Sequence, residues 1–178
     1  MLRVMRLAQL LAAVLGFLGA CPGCGADDPK GLSDEAKRER IEAMYREFRG
    51  AFPDAPEVTV SELLAMQKKE KVILVDTREP REREVSMIPG AVSLEQFQRD
   101  LDSYREGPVV FYCTIGQRSG LQTQKYRQQK LQALNLKGSI LSWVHAGQKA
   151  VNEGGETRKV HVYGPEWNLL PQGYEGVW

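Results

Sequence analysis

Two stretches of four apolar residues, 72–75 and 109–112, each stop abruptly at a polar residue, Asp76 and Cys113 respectively. Continuous apolar runs of this length, rich in β-branched and aromatic residues, fit strands buried on both faces. Between and around them the pattern changes to helical spacing. Ser33 stands before a segment running to about Arg49 in which Ile41, Met44, Tyr45 and Phe48 fall on one stripe, with Gly50 as the expected stop. Residues 58–60 predict a short strand, and Ser61 is the expected cap of a helix carrying Leu63, Leu64 and Met66. A turn at residues 88–91 leads to a short strand at 92–94 and a helix over about 95–104. After the second apolar run a helix is expected over about 119–134, then a short strand near Leu136 and a helix around 139–146. Strands alternating with helices predict an α/β fold, a parallel sheet with helices on both faces.

The ends of the chain read differently. Arg3 and Arg6 precede an apolar run over residues 7–20 that closes in Leu18-Gly19-Ala20-Cys21. A basic start and a short apolar run form the secretory-signal pattern, and the run is shorter than a spanning helix needs. The closing residues resemble the lipobox of bacterial lipoproteins, which implies cleavage before Cys21 and lipid attachment to its thiol. The expected domain order is a signal peptide over 1–20, a flexible tether over 21–32, an amphipathic helix over 33–50, a folded domain over 56–150 and a tail over 151–178. An exported chain held at a bacterial membrane by a lipid anchor follows. Cys21-Pro-Gly-Cys24 also has the spacing of a redox pair, but linker-like Gly25-Ala26-Asp27-Asp28-Pro29 follows it rather than a helix. The tail carries Tyr163, Trp167, Tyr174 and Trp178 among Gly and Pro. It is expected to lie as an ordered strap across the domain, with a docking strip for a protein partner as the alternative.

Composition narrows the function classes. The 178 residues carry 24 basic and 23 acidic side chains, a formal net charge of +1, with 42% hydrophobic and 26% charged residues. Such a balance gives no field that would gather nucleic acid. Three cysteines, two of them at the start, make no disulfide framework and leave Cys113 to be explained. His145 and His161 show no metal-ligand spacing.

In a parallel sheet the carboxyl ends of the strands share one edge, so Asp76, Arg78 and Cys113 are expected near one another. Cys113-Thr114-Ile115-Gly116-Gln117-Arg118-Ser119 passes directly from a strand into a helix. Such a turn aims successive backbone amides at one spot, backed by a helix N-terminus, which favours an anion and lowers the pKa of a thiol. Gly116 lets the backbone turn, and Arg118 adds a cation able to attract an anionic substrate. The plain alternative is an inert buried cysteine at a strand end.

The run from Cys113 to Ser119 resembles the active-site loop of the rhodanese family. Val72-Ile73-Leu74-Val75-Asp76-Thr77-Arg78-Glu79-Pro80 resembles that family's first signature, Ile88-Pro89-Gly90-Ala91 its turn, and Leu136-Lys137-Gly138-Ser139-Ile140-Leu141-Ser142-Trp143 its closing segment. Ser86-Met87 departs from the Gly-His usual before that turn. The resemblance implies a five-stranded parallel sheet flanked by helices and a sulfurtransferase in which Cys113 carries a persulfide. It implies a small sulfur donor such as thiosulfate, a thiol or cyanide acceptor, and no cofactor. Amides from Thr114 to Ser119 would hold the persulfide anion, and Asp76 with Arg78 would brace the loop. The Cys-x4-Arg spacing separates this chain from cysteine phosphatases, whose Cys-x5-Arg loop is one residue longer and commonly follows His rather than Tyr112. Two other readings stand beside the enzyme: a binding or sulfur-carrier module of the same fold without turnover, and a redox protein pairing Cys24 with Cys113.

Overall fold

The structure is a computed structural model that describes residues 29–178. The export signal, Cys21 and Cys24 lie outside the described residues. Among those described, no helix is long and apolar enough to cross a membrane.

Five short strands form a parallel sheet: β1 (Glu57–Val58), β2 (Ile73–Asp76), β3 (Val92–Ser93), β4 (Val109–Tyr112) and β5 (Ala133–Leu136), in the order β1-β5-β4-β2-β3. This is the α/β sheet expected. The apolar runs become β2 and β4, two of the three inner strands, and their register pairs Asp76 with Tyr112, so both polar exits sit on one edge. Side-chain alternation along β4 sends Val110 and Tyr112 into one core and Val109 and Phe111 into the other. The first core is closed by α1 (Asp34–Phe48), α2 (Val60–Gln67) and α6 (Ser139–His145) through Ile41, Leu63 and Ile140. The second is closed by α4 (Leu94–Arg99) and α5 (Gln117–Gln128) through Phe97 and Tyr126. Phe97 meets Phe111 and Tyr126 edge-on at 5.3 and 5.1 Å between ring centres.

Several boundaries depart from the sequence pattern for local reasons. Helix α2 is capped by Thr59 rather than Ser61, because Glu62 stands where a reciprocal capping box needs it. The helix expected over 119–134 stops at Gln128; Lys130, at φ 65°, turns the chain, and residues 133–136 become β5 instead. Ser33 does cap α1, but Gly50 does not stop it: the chain tightens into a 3-10 turn over Arg49–Ala51. The tether expected up to residue 32 ends sooner, since Pro29–Gly31 form a turn in which Pro29 is buried. An unexpected helix, α3 (Pro80–Val85), starts with Pro at its first position and a capping box between Glu79 and Glu82.

The C-terminal segment is folded rather than trailing. It contains a hairpin of β6 (Ala150–Asn152) and β7 (Gly155–Thr157) and a parallel pair of β8 (Lys159–His161) and β9 (Glu175–Val177). Val160, Val162, Leu169 and Leu170 join the first core. At that core's rim the half-buried His145 holds the carbonyl of Leu169 at 2.7 Å.

Candidate active site

Cys113 is the first residue after β4, and four residues later the chain is already in α5. The turn is tight because its carbonyls are drawn away from the sulfur. Amides of Ile140 and Leu141 donate to the carbonyls of Cys113 and Thr114 at 3.2 and 3.3 Å. Asn135 donates from its side chain to the carbonyl of Gly116 at 2.9 Å. Ile115 anchors the loop in the first core. With the carbonyls engaged behind, the amides face the sulfur: the Gly116 N–H donates to Cys113 Sγ at 3.1 Å and the Ser119 amide also points at it. The Ser119 hydroxyl lies 3.6 Å from the sulfur.

Gly116 adopts φ 119°, a left-handed conformation that side chains disfavour. A Cβ there would also fall 2.7 Å from Cδ2 of Tyr45 and closer still to Cε2. Tyr45 is fixed in place, its hydroxyl donating to Glu57 at 2.8 Å and accepting from Asn135 at 2.9 Å. Ser139 takes a positive φ of 50° and accepts the Cys113 amide on its hydroxyl at 3.0 Å. A non-glycine residue in that region costs on the order of 1 kcal/mol, here offset by satisfying a buried donor.

Burial alone would raise the Cys113 pKa, since the residue is 2% exposed. The charge of Arg118, the amide and hydroxyl of Ser119 and the amide of Gly116 outweigh that penalty and hold the thiol below its ordinary value. The sulfur therefore sits in a polar cradle at the end of an otherwise apolar strand.

Arg118 does not project freely. Its two terminal nitrogens donate to both oxygens of Glu82 at 2.6 and 2.8 Å, and one also reaches the Thr114 hydroxyl at 3.3 Å. Glu82, 1% exposed, additionally accepts from the Thr114 hydroxyl at 3.3 Å and from the Glu79 amide. Burial works against its charge, but the Arg118 hydrogen bonds and the Glu79 amide lower its pKa overall. The brace of the cysteine loop is thus Glu82, supplied by α3. Asp76 and Arg78 form a fully buried ion pair at 2.7 Å, yet its reach is different from that expected. Arg78 donates onward to the carbonyl of Ser86 at 2.6 Å and lies over the Tyr112 ring, so the pair ties β2 to the turn after α3. The geometric reason is their spacing of two residues, which folds the arginine back on its own strand end.

Above the sulfur lies a cavity of about 250 Å³. Cys113, Thr114, Ile115, Gln117 and Arg118 line one side; Tyr163 and Trp167 from the C-terminal segment form the other. The Arg118 guanidinium lies 5.2 Å from the Tyr163 ring centre, Tyr163 meets Trp167 edge-on at 5.6 Å, and Trp167 stacks on Phe48 of α1 at 6.3 Å. Burial first of all pushes the Tyr163 hydroxyl up to about 12, so it stands as a neutral phenol. Of the residues singled out by sequence, the loop from Cys113 to Ser119 is assembled around the sulfur, whereas Asp76 and Arg78, on the same sheet edge, bond to each other and to the Ser86 carbonyl. Sequence reasoning missed Glu82, Asn135, Ser139, Tyr45, Tyr163 and Trp167 as parts of the site. The Pro80–Glu82 helix start was a visible signal for the first, and the aromatic tail was one for Tyr163 and Trp167, but nothing local tied Tyr45, Asn135 or Ser139 to the sulfur.

A rhodanese-like domain model matches residues 59–146. A curated relative named a sulfurtransferase, from Allochromatium vinosum, is 36% identical over 90 residues, spanning 48% of this chain and 84% of that protein. Among solved structures, a thiosulfate sulfurtransferase from Pseudomonas aeruginosa superposes with a TM-score of 0.50 at 20% identity, over 67% of this chain and 23% of that one. A rhodanese-related protein from Thermoplasma volcanium gives a TM-score of 0.49 at 22% identity, over 55% of this chain and 99% of that one. At 20% identity the likeness to the Pseudomonas aeruginosa structure speaks to the fold alone.

Proposed function

The chain belongs to the rhodanese-like family, and from that premise we propose that it is a sulfurtransferase working through a persulfide on Cys113. The observation that carries this reading is the convergence of the Gly116 and Ser119 amides, the Ser119 hydroxyl and the Arg118 charge on one sulfur. A thiolate so held is a nucleophile at the floor of an open cavity. It attacks the outer sulfur of a sulfane donor; the new S–S bond forms as the donor's own S–S bond breaks, and the leaving fragment departs with that electron pair. The terminal sulfur of the persulfide carries the negative charge into the same cradle, where preorganised amides stabilise it without rearrangement. A thiolate or cyanide acceptor then attacks the terminal sulfur and returns Cys113 to its thiolate. Thiosulfate is the simplest donor of this kind.

The test is to incubate the purified full chain with several sulfane donors and weigh the intact protein. Wild type gains the mass of one sulfur atom and Cys113→Ser does not. An unchanged mass with every donor overturns the enzyme and leaves a binding module of the same fold. Export and lipid attachment at Cys21 belong to the same proposal and rest on the pattern of residues 3–21. Retention of lipid labelling in Cys21→Ala would refute that part.

A further inference from the structure

The cavity over Cys113 is walled by the segment after residue 150, outside the stretch matched by the family model, and that wall is aromatic. Trp167 is set by the turn Pro165–Trp167 and backed by Phe48; Tyr163 is set by Trp167 on one side and Arg118 on the other. The rest of the lining comes from the Cys113–Arg118 turn, in which Arg118 is the one basic side chain. Both oxygens of Glu82 already engage that guanidinium. Glu82 offsets part of that charge, so a small dianion meets a weaker positive field there than an unpaired arginine would give. An apolar cavity of roughly 150 Å³ can take benzene, and this one measures about 250 Å³.

Resting on the transfer role of Cys113, we propose that the physiological donor is an organic sulfane-sulfur compound whose leaving fragment carries an apolar, ring-sized body. Tyr163 and Trp167 select it. The sulfane sulfur points down to Cys113 Sγ while the body packs against the aromatic wall of Tyr163 and Trp167. With an organic hydropersulfide, Cys113 thiolate attacks the outer sulfur and the S–S bond breaks. Cys113 keeps the sulfur, the organic thiolate leaves with the bonding pair and takes up the proton that the outer sulfur carried, and the persulfide is left anionic. With a thiosulfonate probe the leaving group is the sulfinate, which departs with the bonding pair, and the persulfide is left as the anion that the cradle holds.

Three probes separate size from charge: benzenethiosulfonate, methanethiosulfonate and inorganic thiosulfate. Sulfur loading of the full chain is timed with each, and each rate is divided by that donor's rate with free cysteine at the same pH. The normalised rate is expected to be highest for the aryl donor, roughly tenfold or more above thiosulfate, the scale on which an apolar contact discriminates. Trp167→Ala is expected to shrink the aryl-to-methyl ratio several-fold. Tyr163→Leu, which keeps bulk against Arg118, is expected to shrink it less, and thermal melts of both variants report whether the wall still folds. Thiosulfate loading as fast as the aryl donor, or an aryl-to-methyl ratio that survives both substitutions in folded protein, overturns the inference while leaving transfer at Cys113 intact. Failure of all three donors to load wild type sinks the transfer reading itself, and this inference with it.

Discussion

Replacing Gly116 with alanine attacks the cradle at its tightest point. The residue holds φ 119° and the new methyl would press into the Tyr45 ring, whose Cδ2 lies 2.7 Å from the ideal Cβ position. Tyr45 has nowhere to retreat: it is 1% exposed and its hydroxyl is pinned by Glu57 and Asn135. The left-handed conformation costs about 1–2 kcal/mol for a residue with a Cβ, and forcing a methylene into a packed core adds roughly 1–3 kcal/mol. Their sum, about 2–5 kcal/mol, is a large share of a typical domain's stability and corresponds to a melting temperature lowered by roughly 5–20 °C. Any relaxation must move the backbone, and the backbone amide of Gly116 is the one that donates to Cys113 Sγ at 3.1 Å. Stability and thiol chemistry are therefore expected to change together: a lower urea midpoint, and a pH profile of Cys113 alkylation displaced upward. A Gly116→Ala protein that melts with wild type and alkylates along the wild-type pH curve would refute both the clash and the role of this amide.

Two further outcomes follow from the same geometry. Because folding holds the Cys113 thiol below its ordinary value of 9.0, the thiolate contributes stability that is full above that value and lost as pH falls through the lowered one. The stability of wild type relative to Cys113→Ser, from urea titrations at stepped pH, should rise on approaching pH 9.0 and level off beyond it; a flat difference would contradict the cradle. Glu82→Gln removes the carboxylate from a pair whose arginine side chain keeps 28% exposure, so the loss should be about 1–3 kcal/mol, below that of a fully enclosed pair. An unchanged urea midpoint would show that Glu82 does not brace the loop.

The parts of this fold visible in the sequence are those governed by neighbours along the chain. The four-residue runs that became β2 and β4 announce themselves because both faces of each strand are buried. The Cys113–Ser119 turn is equally local, since the strand exit, the glycine and the helix start are contiguous. What escaped depends on distance. Glu82 and Arg118 are 36 residues apart, Asn135 reaches Gly116 across 19, and no periodicity connects them. Residues 131–136 space their apolar positions in a way that a helix or a strand could both use, and pairing with β1 and β4 decided for β5. The short elements after residue 150 carry too few residues each for a pattern, yet Val160, Val162, Leu169 and Leu170 close a core built mostly by the first part of the chain.

The placement of Arg118 bears on how reactive the sulfur can be. A cation in direct contact with a thiolate lowers its pKa, but nucleophilicity falls with pKa, and the best attacking thiol is one whose pKa lies near the ambient pH. Here Glu82 holds both forks of the guanidinium, with Thr114 between them, so Arg118 acts on Cys113 through its field rather than by a hydrogen bond. Direct hydrogen bonding to the sulfur comes instead from neutral groups, the Gly116 amide and the Ser119 hydroxyl. Such donors stabilise an anion less than a contact ion pair does, and they stay in place when the charge moves outward onto the terminal sulfur of a persulfide. In the transfer proposed for Cys113, a carboxylate on α3 that keeps the arginine at arm's length would serve both states: the thiolate remains reactive, and the persulfide is held without being locked to a cation.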